Sequence, residues 1–274
     1  LFMPEPRGIC PEALSGLSNS SLKSHLVDIP VTARQEDSTA AARAMAEAGA
    51  GCIITLGGDG TNRAVFKGSG PEVPLLPVST GTNNVFPEFQ EGTMAGYAAG
   101  LIALGRVKRE TACWHSKVLK VLRDGEEVDL ALVDLAIATD SLIGARAIWN
   151  ITHLSELFLT RAQPWSIGLS AIGGMVHPLS AEGPVGLHMV FGPEGRQVRA
   201  PIGPGLFEDV CIKKLVPLGI GERVRLNFER QVTLAFDGER DMVARRGDNL
   251  EVELSANGPW VVDTPRTMTA AVIA

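Results

Sequence analysis

Between Leu56 and Asn62 the chain reads Leu-Gly-Gly-Asp-Gly-Thr-Asn, a glycine-rich turn that follows the apolar run Cys52-Ile53-Ile54-Thr55 and precedes a helix expected from about Thr61. Glycines remove side chains and permit positive φ, so backbone N–H groups can converge on an anion, and the positive end of the next helix adds to the attraction. Phosphate is the ligand such a turn suits. Asp59 in its middle would repel a bare phosphate; its presence makes sense if it holds a magnesium ion or takes a proton from a hydroxyl that attacks phosphorus. An ordinary turn with Asp as turn former uses the same residues, so the remaining sequence has to decide.

At 274 residues, with 45% hydrophobic and 20% charged residues, the chain has the composition of a globular protein long enough for two domains. Lys and Arg number 25 against 31 Asp and Glu, a net charge of 25 − 31 = −6. No dense basic stripe is present, which speaks against a nucleic-acid partner. Apolar stretches are interrupted by Asp, Gly or Arg before membrane-spanning length, so no membrane partner is expected. Cys10, Cys52, Cys113 and Cys211 lie far apart without a Cys-x-x-Cys pair, and the five histidines are scattered. That pattern fits a reducing cytoplasm and gives no structural metal. The chain starts at Leu1 rather than Met, so an upstream piece is expected to be missing.

Residues 1–108 read as alternating strand and helix. Strands are expected at Leu1–Met3, His25–Ile29, 52–56 and Val73–Val78, with a poor helix at 9–17. The clearest helix is the alanine-rich run Ala40–Ala48, with Asp37-Ser38-Thr39 offering capping oxygens and Gly49 ending it. A second polar loop, Ser79-Thr80-Gly81-Thr82-Asn83-Asn84, precedes a helix at 91–104. This spacing predicts a parallel sheet covered on both faces, with both polar loops at its carboxyl edge, where ligands sit. From residue 109 to 274 the period becomes two. Lys117–Leu122 and Val128–Ala138 flank Asp124-Gly125, a hairpin signal, and further alternation at Arg223–Phe228, Gln231–Phe236 and Leu250–Leu254 predicts antiparallel sheet. One helix-like stretch, 145–161, interrupts this half; Arg146, Trp149 and Arg161 in it could line an anionic substrate pocket, but a solvated helix face carrying Arg146 and Arg161, with Trp149 buried, is the expectation.

The ordered motifs carry a resemblance. Gly57-Gly58-Asp59-Gly60-Thr61 followed by Pro77-Val78-Ser79-Thr80-Gly81-Thr82-Asn83-Asn84 resembles the paired signature of the NAD kinase and diacylglycerol kinase superfamily. Ser170-Ala171-Ile172-Gly173-Gly174-Met175-Val176-His177-Pro178 and Ala200-Pro201-Ile202-Gly203-Pro204 resemble later NAD kinase segments, and Asp237-Gly238-Glu239 resembles the Asp-Gly-Glu of the lipid kinase branch. Taken together, the sequence is most similar to the ATP-NAD kinase-like family of the acetoin catabolism protein X type. The resemblance implies an N-terminal α/β domain, a C-terminal β-rich domain and magnesium-assisted phosphoryl transfer from ATP to a hydroxyl. It assigns catalysis to Asp59 and Glu239, with Asp59 also the metal residue for Mg²⁺, directly or through water. Nucleotide binding falls to Gly57, Gly58, Gly60, Thr61, Asn62, Thr80, Gly81, Thr82 and Asn83.

Departures from the pattern bear on the acceptor. Relatives carry an upstream strand with an Asn-Pro loop that this sequence does not include, and NAD kinases carry Asn-Glu or Asn-Asp where Val133-Asp134 is the nearest candidate. A Thr-Ala-Tyr ahead of the Ser-Ala-Gly-Gly segment is replaced by Trp165-Ser166-Ile167. Asn84, Asp134 and Asp237 are therefore substrate candidates, with Asp134 also readable as a solvent-facing strand residue. The expectation is a cytoplasmic, magnesium-dependent kinase using ATP on NAD or another small molecule, tied to acetoin catabolism. Two alternatives stand beside it: a nucleotide-binding regulatory protein without turnover, and a lipid kinase. A homo-oligomer is expected because the β-rich part must cover its sheet edges.

Overall fold

The computed structural model describes residues 1–6, 8–16, 23–139 and 151–273. After α1 (Ile9–Gly16), the first layer is laid down by α2 (Gln35–Glu47), β1 (Ile53–Gly57), α3 (Asp59–Ser69), β2 (Leu75–Ser79), α4 (Gly92–Ala103), α5 (Arg109–Ala112) and β3 (Cys113–His115). Strands β1 and β2 pair in parallel with Ile53 opposite Leu75. The outermost candidates, Leu1–Met3 and His25–Ile29, form no strand; an isolated parallel bridge joins Phe2 to Leu26. The alanine-rich helix begins five residues earlier than expected. Asp37, placed as a cap by the sequence, lies within its first turn and accepts hydrogen bonds from the N–H and hydroxyl of Thr32 and from the N–H of Ala33.

The β-rich part follows with β4 (Val118–Arg123), β5 (Glu126–Ala131), β6 (Asp134–Ala138), β7 (Leu154–Leu159), α6 (Leu169–Gly174), β8 (Val185–Gly203), β9 (Leu206–Gly219), β10 (Arg223–Arg225), β11 (Val232–Phe236), β12 (Glu239–Ala244) and β13 (Leu250–Ser255). The order β10-β13-β4-β5 makes one antiparallel sheet and β12-β11-β6-β7-β8-β9 another. Both Asp-Gly turns are tight two-residue hairpins. Asp124 and Gly125 take φ of 53° and 89°, Asp237 and Gly238 take 49° and 81°, the positive pair that a type I′ turn needs. The expected strand Val128–Ala138 is two strands in different sheets, broken at Leu132-Val133. Residues 185–203, despite their glycines and prolines, form one long strand, β8. The helix-like stretch resolves into β7 from residue 154 onward, while Arg146 and Trp149 lie outside the described residues.

The chain then returns to its start. Strand β14 (Trp260–Val262) pairs in parallel with β2 and antiparallel with β3, giving the order β1-β2-β14-β3, and α7 (Thr264–Ile273) packs beside α4. The first sheet is thus mixed rather than purely parallel. Its two faces are covered unequally: α2 and α3 supply Ala42, Val65 and Phe66 to one side, α4 and α7 supply Ala95, Ala98 and Met268 to the other, and the edge residues Ile54 and Leu56 stay exposed. In the β-rich part, Leu135, Ile137, Leu234 and Phe236 pack against Leu119, Val252 and Leu254 of the neighbouring sheet, and the opposite face is closed by Ile172 of α6.

Helix α3 aims the glycine turn, and its angle depends on contact with α2. A β-carbon on Gly68 would strike the Thr39 carbonyl oxygen, while Thr39 Oγ1 donates to the Ala64 carbonyl at 2.9 Å. Alanine is favoured over glycine in a helix interior by about 1 kcal/mol, so the substitution sets propensity against packing. Gly68→Ala is expected to destabilise by about 1–3 kcal/mol because backbone must move; a raised Tm would show the α2–α3 contact to be loose.

Candidate active site

Asp59 is the first residue of α3, immediately after the turn that leaves β1. Its carboxylate is fixed by the second polar loop: Val85 N–H donates to both oxygens at 3.0 and 3.1 Å, and Phe86 N–H donates to Oδ1 at 2.8 Å. The turn's glycines are needed for close approach and not for unusual φ, since Gly58 sits at φ −97°. A β-carbon on Gly57 would lie 2.6 Å from Thr61 Oγ1, one on Gly58 2.6 Å from Asn84 Oδ1, and one on Gly60 2.6 Å from Glu239 Oε1. Side chains from the second loop and from the β-rich part therefore press directly on this backbone.

The other expected nucleotide residues divide in two groups. Thr80, Thr82 and Asn83 are exposed at the mouth of the second loop, and Gly81 lies beside the Asn84 amide. Asn84 Nδ2 donates to Ser79 Oγ at 2.8 Å, which in turn donates to the Gly81 carbonyl at 3.0 Å. Asn62 points inward and is fully buried, its amide bonding the Gly58 carbonyl and the Thr55 hydroxyl at 2.8 Å each. It shapes the turn from behind.

From the β-rich part come Asp134, Asp237 and Glu239. The type I′ turn directs the Asp237 carboxylate onto the N–H groups of Leu132, Val133 and Asp134 at 2.9, 2.7 and 3.2 Å. Asp134 is buried, contrary to the solvent-facing reading, and its Oδ1 has no hydrogen-bond partner among the described residues. Arg161, expected on a solvated helix face, is instead the largest fully buried side chain. Its guanidinium lies 4.9 Å from the centre of the Phe86 ring and 5.1 Å from that of Trp114, and it donates to Ser116 Oγ at 2.7 Å. Gln35 also went unread: its amide donates to the Gly60 carbonyl at 2.7 Å. A cation two residues after the apolar run Leu157-Phe158-Leu159 is the signal the sequence carries for Arg161; nothing in the sequence marks Gln35.

Charge is the unusual property of this region. Burial pushes Asp59 up to about 7, helped by the charge of Asp237 and opposed by the N–H groups of Phe86 and Val85 and by Arg161. Burial pushes Asp237 up to about 6, with Arg63 and the three N–H bonds working against it. Asp134 is raised well above the ordinary range by burial and by Asp237 and Asp59. Burial lowers Arg161 to about 10, with Asp59, Asp237 and Glu88 holding it up. Among the described residues no group of three His, Cys, Asp or Glu is placed to hold a metal ion. With three N–H bonds already on its oxygens, Asp59 offers magnesium one carboxylate at most, the mode in which Mg²⁺ takes its other ligands from water and phosphate.

This fold is shared with solved kinases. The chain matches yeast NADH kinase complexed with NADH at a TM-score of 0.51 and 14% identity, over 95% of this chain and 75% of that one. It matches a putative diacylglycerol kinase from Bacillus anthracis at 0.52 and 15%, over 89% and 87%. The architecture is therefore NAD kinase-like. Residues 12–107 match the ATP-NAD kinase N-terminal domain and residues 117–257 the acetoin catabolism protein X C-terminal domain. The chain is 40% identical over 252 residues to acetoin catabolism protein X of Cupriavidus necator, covering 89% of this chain and 70% of that protein. An NAD kinase of Ruminiclostridium cellulolyticum is 25% identical over 214 residues, 73% and 68% of the two. The chain belongs to the acetoin catabolism protein X family, as the motifs implied.

Two substitutions test the charge balance. Carboxylates whose pKa is raised on folding bind protons in the native state that the unfolded state has released, so their unfavourable effect is absent below about pH 4 and grows as pH rises through about 6 to 7. Asp134→Asn removes one such group and is expected to stabilise the fold at pH 8, and by much less at pH 4. Thermal melts at both pH values decide, and equal shifts would refute this account of the cluster. Arg161→Met leaves Asp59 and Asp237 without one of the two buried cations near them, Arg63 remaining, and is expected to cost about 3–5 kcal/mol at pH 8, read by urea unfolding; a loss under about 1 kcal/mol would show Arg161 to be electrostatically idle.

Proposed function

We propose that this protein is a cytoplasmic ATP-dependent phosphotransferase, acting on a hydroxyl of NAD or of another small molecule tied to acetoin metabolism. The observation that carries the reading is the carboxylate of Asp59. It stands at the start of a helix, locked in orientation by two backbone N–H donors from the second polar loop, with a pKa of about 7. A base is most effective when its pKa lies near the working pH. Glu239 presses on Gly60, the next residue, and so places a second carboxylate beside the same point.

In this reading the first-turn N–H groups of α3 and the exposed hydroxyls and amide of Thr80, Thr82 and Asn83 receive the nucleotide phosphates. Asp59 takes the acceptor hydroxyl's proton as phosphorus is attacked, and Arg161 holds the surrounding carboxylates in one arrangement. Magnesium bound with the nucleotide supplies neutralisation of charge on the phosphate oxygens. Asp134, with an unpartnered oxygen, faces the acceptor. The NADH bound by the yeast relative supports NAD or NADH as the first acceptors to examine. Nucleic acid and membrane are no partners in this reading, and the protein works as a homo-oligomer. No helix among the described residues is long and apolar enough to cross a membrane.

The experiment is label transfer from γ-labelled ATP with magnesium to NAD, NADH, acetoin and small diols. Transfer to one of them is expected, with turnover falling about tenfold per unit as pH drops below about 7, because Asp59 must be ionised to act as base. Asp59→Asn should lose about 10²–10⁴-fold in turnover, the usual worth of a positioned base, and Glu239→Gln less. ATP binding without transfer to any acceptor would favour a regulatory protein, and transfer confined to lipid vesicles would favour a lipid kinase.

A further inference from the structure

A cavity of about 650 Å³ lies at the other end of α3 from Asp59. The helix has 11 residues, so the two places are roughly 15 Å apart at 1.5 Å per residue. None of the residues proposed for phosphoryl transfer lines it. The volume lies in the range of small-molecule sites. Its floor is apolar, formed by Phe66, Val118 and Leu130.

The polar side of this cavity is assembled from three separate elements. His115 of β3 stacks on Trp260 of β14 with ring centres 4.6 Å apart, and Arg109 of α5 places its guanidinium 5.2 Å over the same indole. His115 Nε2 is buried and has no hydrogen-bond partner among the described residues. A buried ring nitrogen without a partner is costly whichever nitrogen carries the proton, and a small slide of the ring along Trp260 would bring it within reach of a ligand atom in the cavity. Lys67 and Lys120 add two further cations to the wall.

Each cation is held at present by an acid. Lys67 pairs with Asp129 at 2.9 Å, Lys120 with Glu127 at 2.8 Å, and Arg109 with two acids, Glu110 at 3.2 Å and Glu72 at 3.1 Å. The last pair is the weakest held, because the Glu72 side chain is 79% exposed and such pairs contribute little. An incoming anion can take the place of Glu72 on Arg109 with little loss. We infer that this cavity is a second binding site for an organic anion, a metabolite with a carboxylate or phosphate head on Arg109, a polar atom on His115 Nε2 and an apolar body on the floor. Nothing in this inference depends on phosphoryl transfer at Asp59.

The test uses the full chain and calorimetric titration with phenyl phosphate, phenylacetate and inorganic phosphate. One of the two aromatic anions should saturate with a Kd below about 1 mM, and which one does identifies the head group. Arg109→Ala should weaken it by about tenfold or more, as loss of a charge-assisted contact does. His115→Phe, which keeps a ring on Trp260 without the nitrogen, should weaken it severalfold. Arg109 has a side chain only 34% exposed yet sits outside the hydrophobic clusters, so its removal leaves the core intact. ATP affinity at the glycine turn should be unchanged in both variants, which separates this result from the fate of the kinase reading. Failure of both aromatic anions to saturate by about 10 mM would overturn the proposal. So would inorganic phosphate binding as tightly as phenyl phosphate, or unchanged affinity in both variants.

Discussion

The carboxylate of Asp237 is the contact from which the rest of the site follows. Between β5 and β6 the chain leaves one antiparallel sheet for another, and at that step the N–H groups of residues 132–134 have no ladder to join. Buried backbone groups left unpaired would be costly. Asp237 accepts all three, returns its own N–H to the Asp134 carbonyl at 2.9 Å, and leaves the Leu132 carbonyl to the Thr160 hydroxyl at 2.7 Å. The same turn begins β12 with Glu239, which lands on Gly60. Phe236, one residue earlier, carries the Arg63 guanidinium 4.7 Å from its ring centre, and Arg63 reaches back to the Leu130 carbonyl and Asp129. A single acidic turn residue thereby joins two β-sheets to the helix that bears Asp59.

Local chemistry and long-range chemistry were unequally readable from the residues. The Asp-Gly pairs at 124 and 237 announced their hairpins because a type I′ turn asks for positive φ at both positions, a demand met within two residues. The glycine turn and the helix after it were readable because their signal is local too, although its glycines serve close approach and not positive φ. The break at Leu132-Val133 was not, since the alternation runs on unbroken and the group that satisfies the exposed N–H donors lies more than a hundred residues away. Arg161 was misplaced because periodicity assigns a charged residue to solvent, whereas two aromatic rings and a serine hydroxyl from two other segments make a buried place for it. The strands at Leu1–Met3 and His25–Ile29 satisfied every local rule and still form only a bridge, so propensity without a partner strand was insufficient.

Two buried aspartates, Asp134 and Asp237, beside the part-buried Asp59 and with the buried guanidiniums of Arg63 and Arg161 to offset them, make an arrangement that stability alone would not select. Each further ionisation raises the cost of the next, so at neutral pH the group shares protons instead of carrying three full charges. Such strain is characteristic of places where a protein does chemistry. The consequence for Asp59 is specific. Its N–H donors from Val85 and Phe86 favour the anion, its burial and Asp237 favour the acid, and the near balance leaves a carboxylate able to exchange a proton close to neutrality. An exposed turn aspartate could not do this, because solvent would hold it ionised far below that pH.

The connection between the two parts of the molecule bears on how such a site could work. The chain crosses from the first sheet to the β-rich part at Ser116 and returns at Gly258-Pro259, and these crossings are bonded to one another: Ser116 N–H donates to the Pro259 carbonyl at 2.9 Å and Gly258 N–H to the Ser116 carbonyl at 3.1 Å. Arg161 binds the Ser116 hydroxyl, so the buried cation is anchored at the crossing itself. On the far side of the cleft, Arg63 with Asp129 and Glu239 with Gly60 join the two parts again. A free hinge needs one flexible joint and an unattached opposite edge, and here both edges are tied. The acidic groups are consequently held in register before any ligand arrives. Fixed dipoles and charges of this kind act without reorganising during reaction, which makes preorganisation, and not closure of one part upon the other, the means by which this site would work.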